Sequence, residues 1–194
     1  MLSFTYLLLS VGLVFVGALL WRLKGLQGSY NTAALSLWLG AYACMVNTPL
    51  FSLFIEPEMA TLGDNLSVFV GFPMLALVLL DLTIGWHWKR ATWGRIFLAL
   101  AAMFEVMRRA EVGHNYAKFL FIVCALAILF ALFKVVKTSA VKSQTVKKSS
   151  IILTTCFGLM LASLWSFNTS FVLLWNGLTI LFIGGYLYFA AIYT

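Results

Sequence analysis

The sequence predicts an all-α fold: a polytopic membrane protein of seven transmembrane helices, with the N-terminus outside and the C-terminus cytoplasmic. Three observations carry that expectation. The 194 residues are 63% hydrophobic and 10% charged, with a mean hydropathy of +1.00, whereas a water-facing domain carries about 25% charged residues. Apolar stretches of about 20 residues, the length a helical span needs, recur along the chain with short connections. Of the 13 Lys and Arg residues, Arg22, Lys24, Lys89, Arg90, Arg95, Lys134, Lys137, Lys142, Lys147 and Lys148 fall on one side of that pattern.

The expected spans are 3–21, 32–54, 66–87, 92–111, 116–136, 151–166 and 171–193. The first has no basic residue before it and continues to Trp21, with Arg22 and Lys24 following, so it reads as a retained helix and not as a cleaved signal. The second carries the small-residue row Ser36, Gly40 and Cys44, and the sixth carries Gly158 and Ala162. Such rows let helix backbones approach closely in lipid, here for packing within the bundle. Pro73 in the third span and Pro49 near the end of the second are places where a helix can bend. Span four is the most charged, and its crossing is required to keep the lysine-rich segment 137–148 on the side of the other basic residues. Together the spans make residues 1–194 a single transmembrane domain and leave no room for a soluble one.

Orientation follows from charge. The ten basic residues named above share one compartment, and Arg108, Arg109 and Lys118 face the other together with Glu56, Glu58, Asp64 and Glu111. The positive-inside rule makes the basic side cytoplasmic. Trp21, Trp86, Trp88 and Trp93 then gather at the inner interface and Trp165 near the outer one, as an aromatic belt does. Basic residues at helix ends also remove any reason to invoke nucleic acid. The expected surroundings are the lipid bilayer of a plasma or bacterial inner membrane, with a membrane-protein partner or a second copy of the chain as possible company.

Two places can hold chemistry. In the segment FEVMRRAE, Glu105 precedes Arg108 and Arg109 by three and four residues, which puts opposite charges on adjacent turns. Glu105 lies about 9 Å inside the expected outer end of its helix. Asn47 and Asn176 fall at comparable depth on the second and seventh spans, so Asn47, Glu105, Arg108, Arg109 and Asn176 are the expected lining of an outward-facing polar pocket. The competing reading is a self-neutralising cluster whose arginines reach the headgroups. Asp81, in LVLLDLTIG, is the second place. A lone intramembrane carboxylate is a candidate ion or proton relay, or else a hydrogen-bonded tie between helices.

Other chemistries are poorly served. His87 and His114 fall on opposite faces of the membrane, so they cannot hold one haem, and neither has a carboxylate cluster for a metal. Cys44, Cys124 and Cys156 lie within apolar segments without CxxC spacing and read as small core residues. No GxSxG, HExxH or phosphate-cradling glycine loop occurs. No catalytic residue and no cofactor are expected. Seven spans, an outside N-terminus and an acid in the third helix also frame microbial rhodopsins, but the last span, FVLLWNGLTILFIGGYLYFAAIY, has no lysine for a retinal Schiff base, and that family is set aside. Asn65-Leu66-Ser67 and Asn168-Thr169-Ser170 match the glycosylation triplet in expected outer connections and are read as coincidences.

The functions compatible with this pattern are three. A small permease, channel or ligand-binding membrane protein would use the outer pocket and Asp81. An auxiliary subunit would pack against a larger membrane complex. A lipid-modifying intramembrane enzyme would use Glu105 as acid or base beside its arginines.

Overall fold

A computed structural model describes residues 2–22, 28–48, 51, 54, 56–137 and 178–187, and every regular element among them is helical. The helices are α1 (Leu2–Arg22), α2 (Gly28–Val46), α3 (Pro57–Ile84), α4 (Arg90–Arg109), α5 (Gly113–Lys137) and α6 (Leu178–Leu187). The all-helical bundle is therefore as expected. Among the described residues, two stretches are long and apolar enough to cross a membrane, Thr5–Arg22 and Pro57–Ile84. The expected sixth span, 151–166, lies outside the described residues, as do Cys156, Gly158, Ala162, Trp165 and Asn168.

Several boundaries differ from expectation, for physical reasons. The second helix begins at Gly28, not 32, because Ser29 is fully buried and bonded rather than solvated in a loop. Its regular part ends at Val46, two residues before Thr48, which precedes Pro49 and is steered away from α geometry. The third helix begins at Pro57, nine residues before the expected position. Proline fits the first helical position, where an N–H would be orphaned anyway. Asp64 thus sits on a helix, not in a connection. Asn65-Leu66-Ser67 does too, with Ser67 buried, and so cannot be an accessible glycosylation loop.

Pro73 leaves its mark one turn upstream. Ser67–Gly71 is a π turn, closed by the Phe72 N–H donating to the Ser67 carbonyl. Proline supplies no N–H to the preceding turn and crowds its carbonyls, and widening that turn by one residue relieves the clash. α3 then runs on to Ile84 and stops at Gly85, whose φ of 81° is the left-handed geometry that glycine adopts without a Cβ penalty.

The neighbours of each helix fix its direction. Trp21 packs on Trp38, and Leu13 faces Gly40, so α1 and α2 are antiparallel. Ser29 meets Asp81 and Asn47 meets Asp64, so α2 and α3 are antiparallel. Phe69 packs tilted against Phe104 with ring centroids 4.4 Å apart, and Trp88 meets Trp93 beside the connecting turn, so α4 returns alongside α3. Phe69 with Tyr116 and Phe72 with Phe121 align α5 parallel to α3. Ile180 faces Gly40 and Leu37 faces Gly184, so α6 is antiparallel to α2 and runs with α1.

The small-residue row on α2 is spent inside the bundle. A Cβ at Gly40 would lie 3.3 Å from Ile180 and 3.6 Å from Leu13. One at Gly71 would lie 3.4 Å from the Ser36 carbonyl. The core they permit includes Leu13, Leu37, Val70, Leu75, Ile128 and Ile180. Outward faces are apolar as well: Leu8, Val11 and Phe15 on α1, and Phe119, Ile122, Leu126, Phe130 and Phe133 on α5, are exposed.

Candidate functional site

The chain's carboxylates sort into two ends and an edge. On α4, Glu105 accepts bonds from Arg108 Nε and Nη2, both 2.8 Å, and from Arg109 Nε at 2.8 Å. All three groups belong to one helix, as the spacing implied. The side chains are 40% exposed at Glu105, 58% at Arg108 and 75% at Arg109. The cluster therefore lies on the bundle's outer edge, where the Glu105 carboxylate offsets one of the two guanidinium charges. The expected grouping with Asn47 does not form through hydrogen bonds, because those of Glu105 stay on its own helix. Asn176 lies outside the described residues.

Asn47 has a different carboxylate. Its side-chain amide donates to Asp64 Oδ1 at 2.6 Å and to the Ala43 carbonyl at 2.8 Å. Asp64 is half-buried on α3, bonded to Asn47 of α2 and within electrostatic range of Tyr6 of α1 and Cys44 of α2. Among the described residues the ion pairs of Glu105 with Arg108 and Arg109 do not involve Asp64. The sequence reading missed this residue because it lay within a charged stretch taken as a connection. Its separation of seven residues from Pro57, about 10 Å of helix, was the available signal.

Asp81 has zero exposure. The Ser29 hydroxyl donates to its Oδ2, and the Trp88 backbone N–H donates to its Oδ1 at 3.2 Å. Its carbonyl accepts from the N–H groups of Gly85 at 2.8 Å and Trp86 at 3.3 Å. One residue thus ties the start of α2, the end of α3 and the turn leading to α4. That turn holds His87 at a φ of 53°, and its flanking residues Trp86 and Trp88 stack their rings on each other at 5.0 Å. Of the tryptophans expected at a membrane interface, Trp93 is instead 3% exposed. Its indole N–H has no hydrogen-bond partner among the described residues, and its Cδ1 would lie 3.1 Å from a Cβ at Gly28.

Between the two aspartates runs a seam of small hydroxyls that the sequence reading did not assemble. Ser29, Thr32 and Ser36 recur at helical spacing on α2 and are buried, as is Ser67 on α3. Thr32 donates to the Gly28 carbonyl at 2.9 Å and Ser36 to the Thr32 carbonyl at 3.0 Å. Cys44 and Cys124 are free and buried, in keeping with a packing role. No group of three His, Cys, Asp or Glu side chains among the described residues can hold a metal ion.

No family model matches the sequence, and comparisons with curated proteins and with solved structures gave no match.

Proposed function

We propose that the chain is a seven-span integral membrane protein of permease or channel type, with an outward-facing cation site at Asn47 and Asp64. Three features support the membrane reading. The helices alternate in direction in the order that successive crossings require, with α6 running as a seventh span would. Arg22, Lys89, Arg90 and Lys134 gather at one end, while Glu56, Glu58, Asp64 and Glu111 gather at the other. The exposed faces of α1 and α5 are apolar, as surfaces meeting lipid tails are. The basic end is then cytoplasmic, in a plasma or bacterial inner membrane.

The observation that carries the transport reading is Asp64, a half-buried carboxylate bonded to a neutral amide and outside the ion pairs of Glu105. An acid inside a membrane domain held by a neutral amide is a place for a mobile cation, the proton included. Arg108, Arg109 and Glu105 serve at the outer rim, where headgroup phosphates compete for the arginines. The test is uptake of radioactive sodium and of protons by vesicles holding the purified chain. Asp64→Asn abolishes uptake while the protein elutes as the wild type does; uptake at the wild-type rate in that variant removes the reading.

A second reading, an auxiliary subunit, draws on the aromatic ladder Phe119, Phe130 and Phe133, which suits a protein partner as well as lipid. Native mass spectrometry from the source membrane separates the two. A stoichiometric second polypeptide favours the subunit.

A further inference from the structure

The start of α4 runs against helix electrostatics. A helix N-terminus carries about half a positive charge and favours an acid or a side-chain acceptor there. α4 has neither: its N-cap is Lys89, its first residue is Arg90, no side chain caps it, and no acid stands in the first turn. Lys89 and Arg90 are both exposed. The helix end and the two side chains amount to about two and a half positive charges. The acid beside this turn is Asp81, already bonded to the Ser29 hydroxyl and the Trp88 N–H. With the C-terminal end of α3 it offsets about one and a half of those charges, and about one remains.

A second feature at the same place asks for an acceptor. Trp93, one turn into α4, is 3% exposed, and its indole N–H has no partner among the described residues. A Cβ at Gly28, the first residue of α2, would lie 3.1 Å from Trp93 Cδ1 and 3.2 Å from Arg90 Cγ. The indole nitrogen is bonded to that Cδ1, so the N–H edge of the ring and the Arg90 stem meet at one junction of α2 and α4. A buried donor without an acceptor is costly, and an anion with several oxygens can serve it together with the two cations. The surroundings are indoles: Trp88 packs on Trp93 at 5.2 Å and on Trp86 at 5.0 Å, and Trp86 is 46% exposed. Indole rings at the end of a membrane bundle settle at headgroup depth, where the oxygen-rich anion is a lipid phosphate.

We infer that the junction of α2 and α4 binds the phosphate of an anionic phospholipid in the inner leaflet. Lys89 and Arg90 supply the counter-charge, Arg90 with a planar fork that matches two phosphate oxygens. The uncapped first turn of α4 and the Trp93 N–H supply the neutral donors, and exposed Trp86 covers the glycerol end of the lipid. The inference rests on the membrane reading above and is independent of transport at Asp64.

The experiment follows thermal unfolding of the full chain in a mild uncharged detergent as phosphatidylglycerol is added. The lipid raises the unfolding midpoint, and phosphatidylcholine with the same tails raises it far less. With Lys89→Gln and Arg90→Gln combined, half the rise needs about 30-fold more lipid. Trp93→Phe, which removes the N–H and keeps an aromatic ring, shifts the titration in the same direction. Lys142→Gln with Lys147→Gln removes the same charge from the same side of the expected topology and leaves the titration where it was. Equal rises with the two lipids, or an equal loss in both double variants, overturn the site. Inorganic phosphate that produces the full rise by itself overturns the lipid as its occupant. Release of the chain from its membrane by alkaline carbonate without detergent overturns the membrane reading instead.

Discussion

Asp81 and Glu105 look alike in the sequence, each an acid well inside an apolar segment, and the fold treats them in opposite ways. Glu105 is satisfied by two arginines of its own helix and stays at the edge. Asp81 has zero exposure, and its side chain is held by neutral donors from α2 and from the turn after α3. The rim can spend charge on charge because its side chains are exposed to solvent. In the interior, neutral hydrogen bonds hold the carboxyl without adding a second group that must be desolvated. The first arrangement belongs to one helix, and the second exists only once three elements have met.

The largest effect follows from that dependence. Asp81→Ala leaves the Ser29 hydroxyl and the Trp88 N–H without their acceptor and frees the turn from α2. The expected loss is about 3 kcal/mol, since each orphaned buried donor costs about 1–3 kcal/mol. Asp81→Asn keeps an oxygen for Trp88 and costs about 1 kcal/mol. Thermal unfolding in a mild detergent checks both. Equal midpoints for the two variants would show that the acceptor oxygens do not tie these elements together.

How far each site was legible follows the same division. The pairing of Glu105 with Arg108 and Arg109 could be read directly, because three- and four-residue spacings fix neighbours on a helix. α1 was found to within a residue for a similar reason, its apolar run ending at Trp21 and Arg22. The bonds of Asp81 could not be read, since its partner Ser29 is 52 residues away. The polar segment Gly28-Ser29-Tyr30-Asn31 looked like a connection for the same cause: tertiary partners make its polarity affordable inside the bundle. The start of α3 was hidden by Glu58 and Asp64, which marked a loop by charge although Pro57 marked a helix by geometry. Asn47 was grouped by depth with Glu105, whereas its side-chain amide bonds Asp64, a partner that depth along separate helices does not reveal.

Packing sharpens the interior half of the comparison. A Cβ at Gly17 would lie 2.5 Å from Trp38 Nε1 and 3.4 Å from the Ala34 carbonyl, whereas one at Gly94 meets nothing within 4 Å. Gly17→Ala must therefore displace the Trp38 ring from Trp21 and costs about 1–3 kcal/mol. Gly94→Ala gains up to about 1 kcal/mol from helix propensity. Opposite shifts in unfolding midpoint are expected, and a stabilised Gly17→Ala would contradict the close approach of α1 and α2. Asn47→Ala comes next, at about 1 kcal/mol for the lost bond to Asp64. It also leaves that acid without its amide, so any cation-dependent stabilisation of the protein should weaken with it.

The smallest effect is expected at the rim. Glu105→Gln removes the charge between Arg108 and Arg109, yet all three side chains are well exposed and the arginines have solvent to turn to. The unfolding midpoint should stay where it is, and proton flux should be unchanged, because no hydrogen bond joins Glu105 to Asn47 or Asp64. What should change is the surface: with two uncompensated guanidinium groups, the variant should bind anionic lipid vesicles more tightly than the wild type, and increasing salt should erase the difference. A large drop in midpoint would instead mean that Glu105 reaches the bundle interior in the membrane. The contrast between a charge paired at the rim and an acid held by neutral donors would then fail at its simpler end.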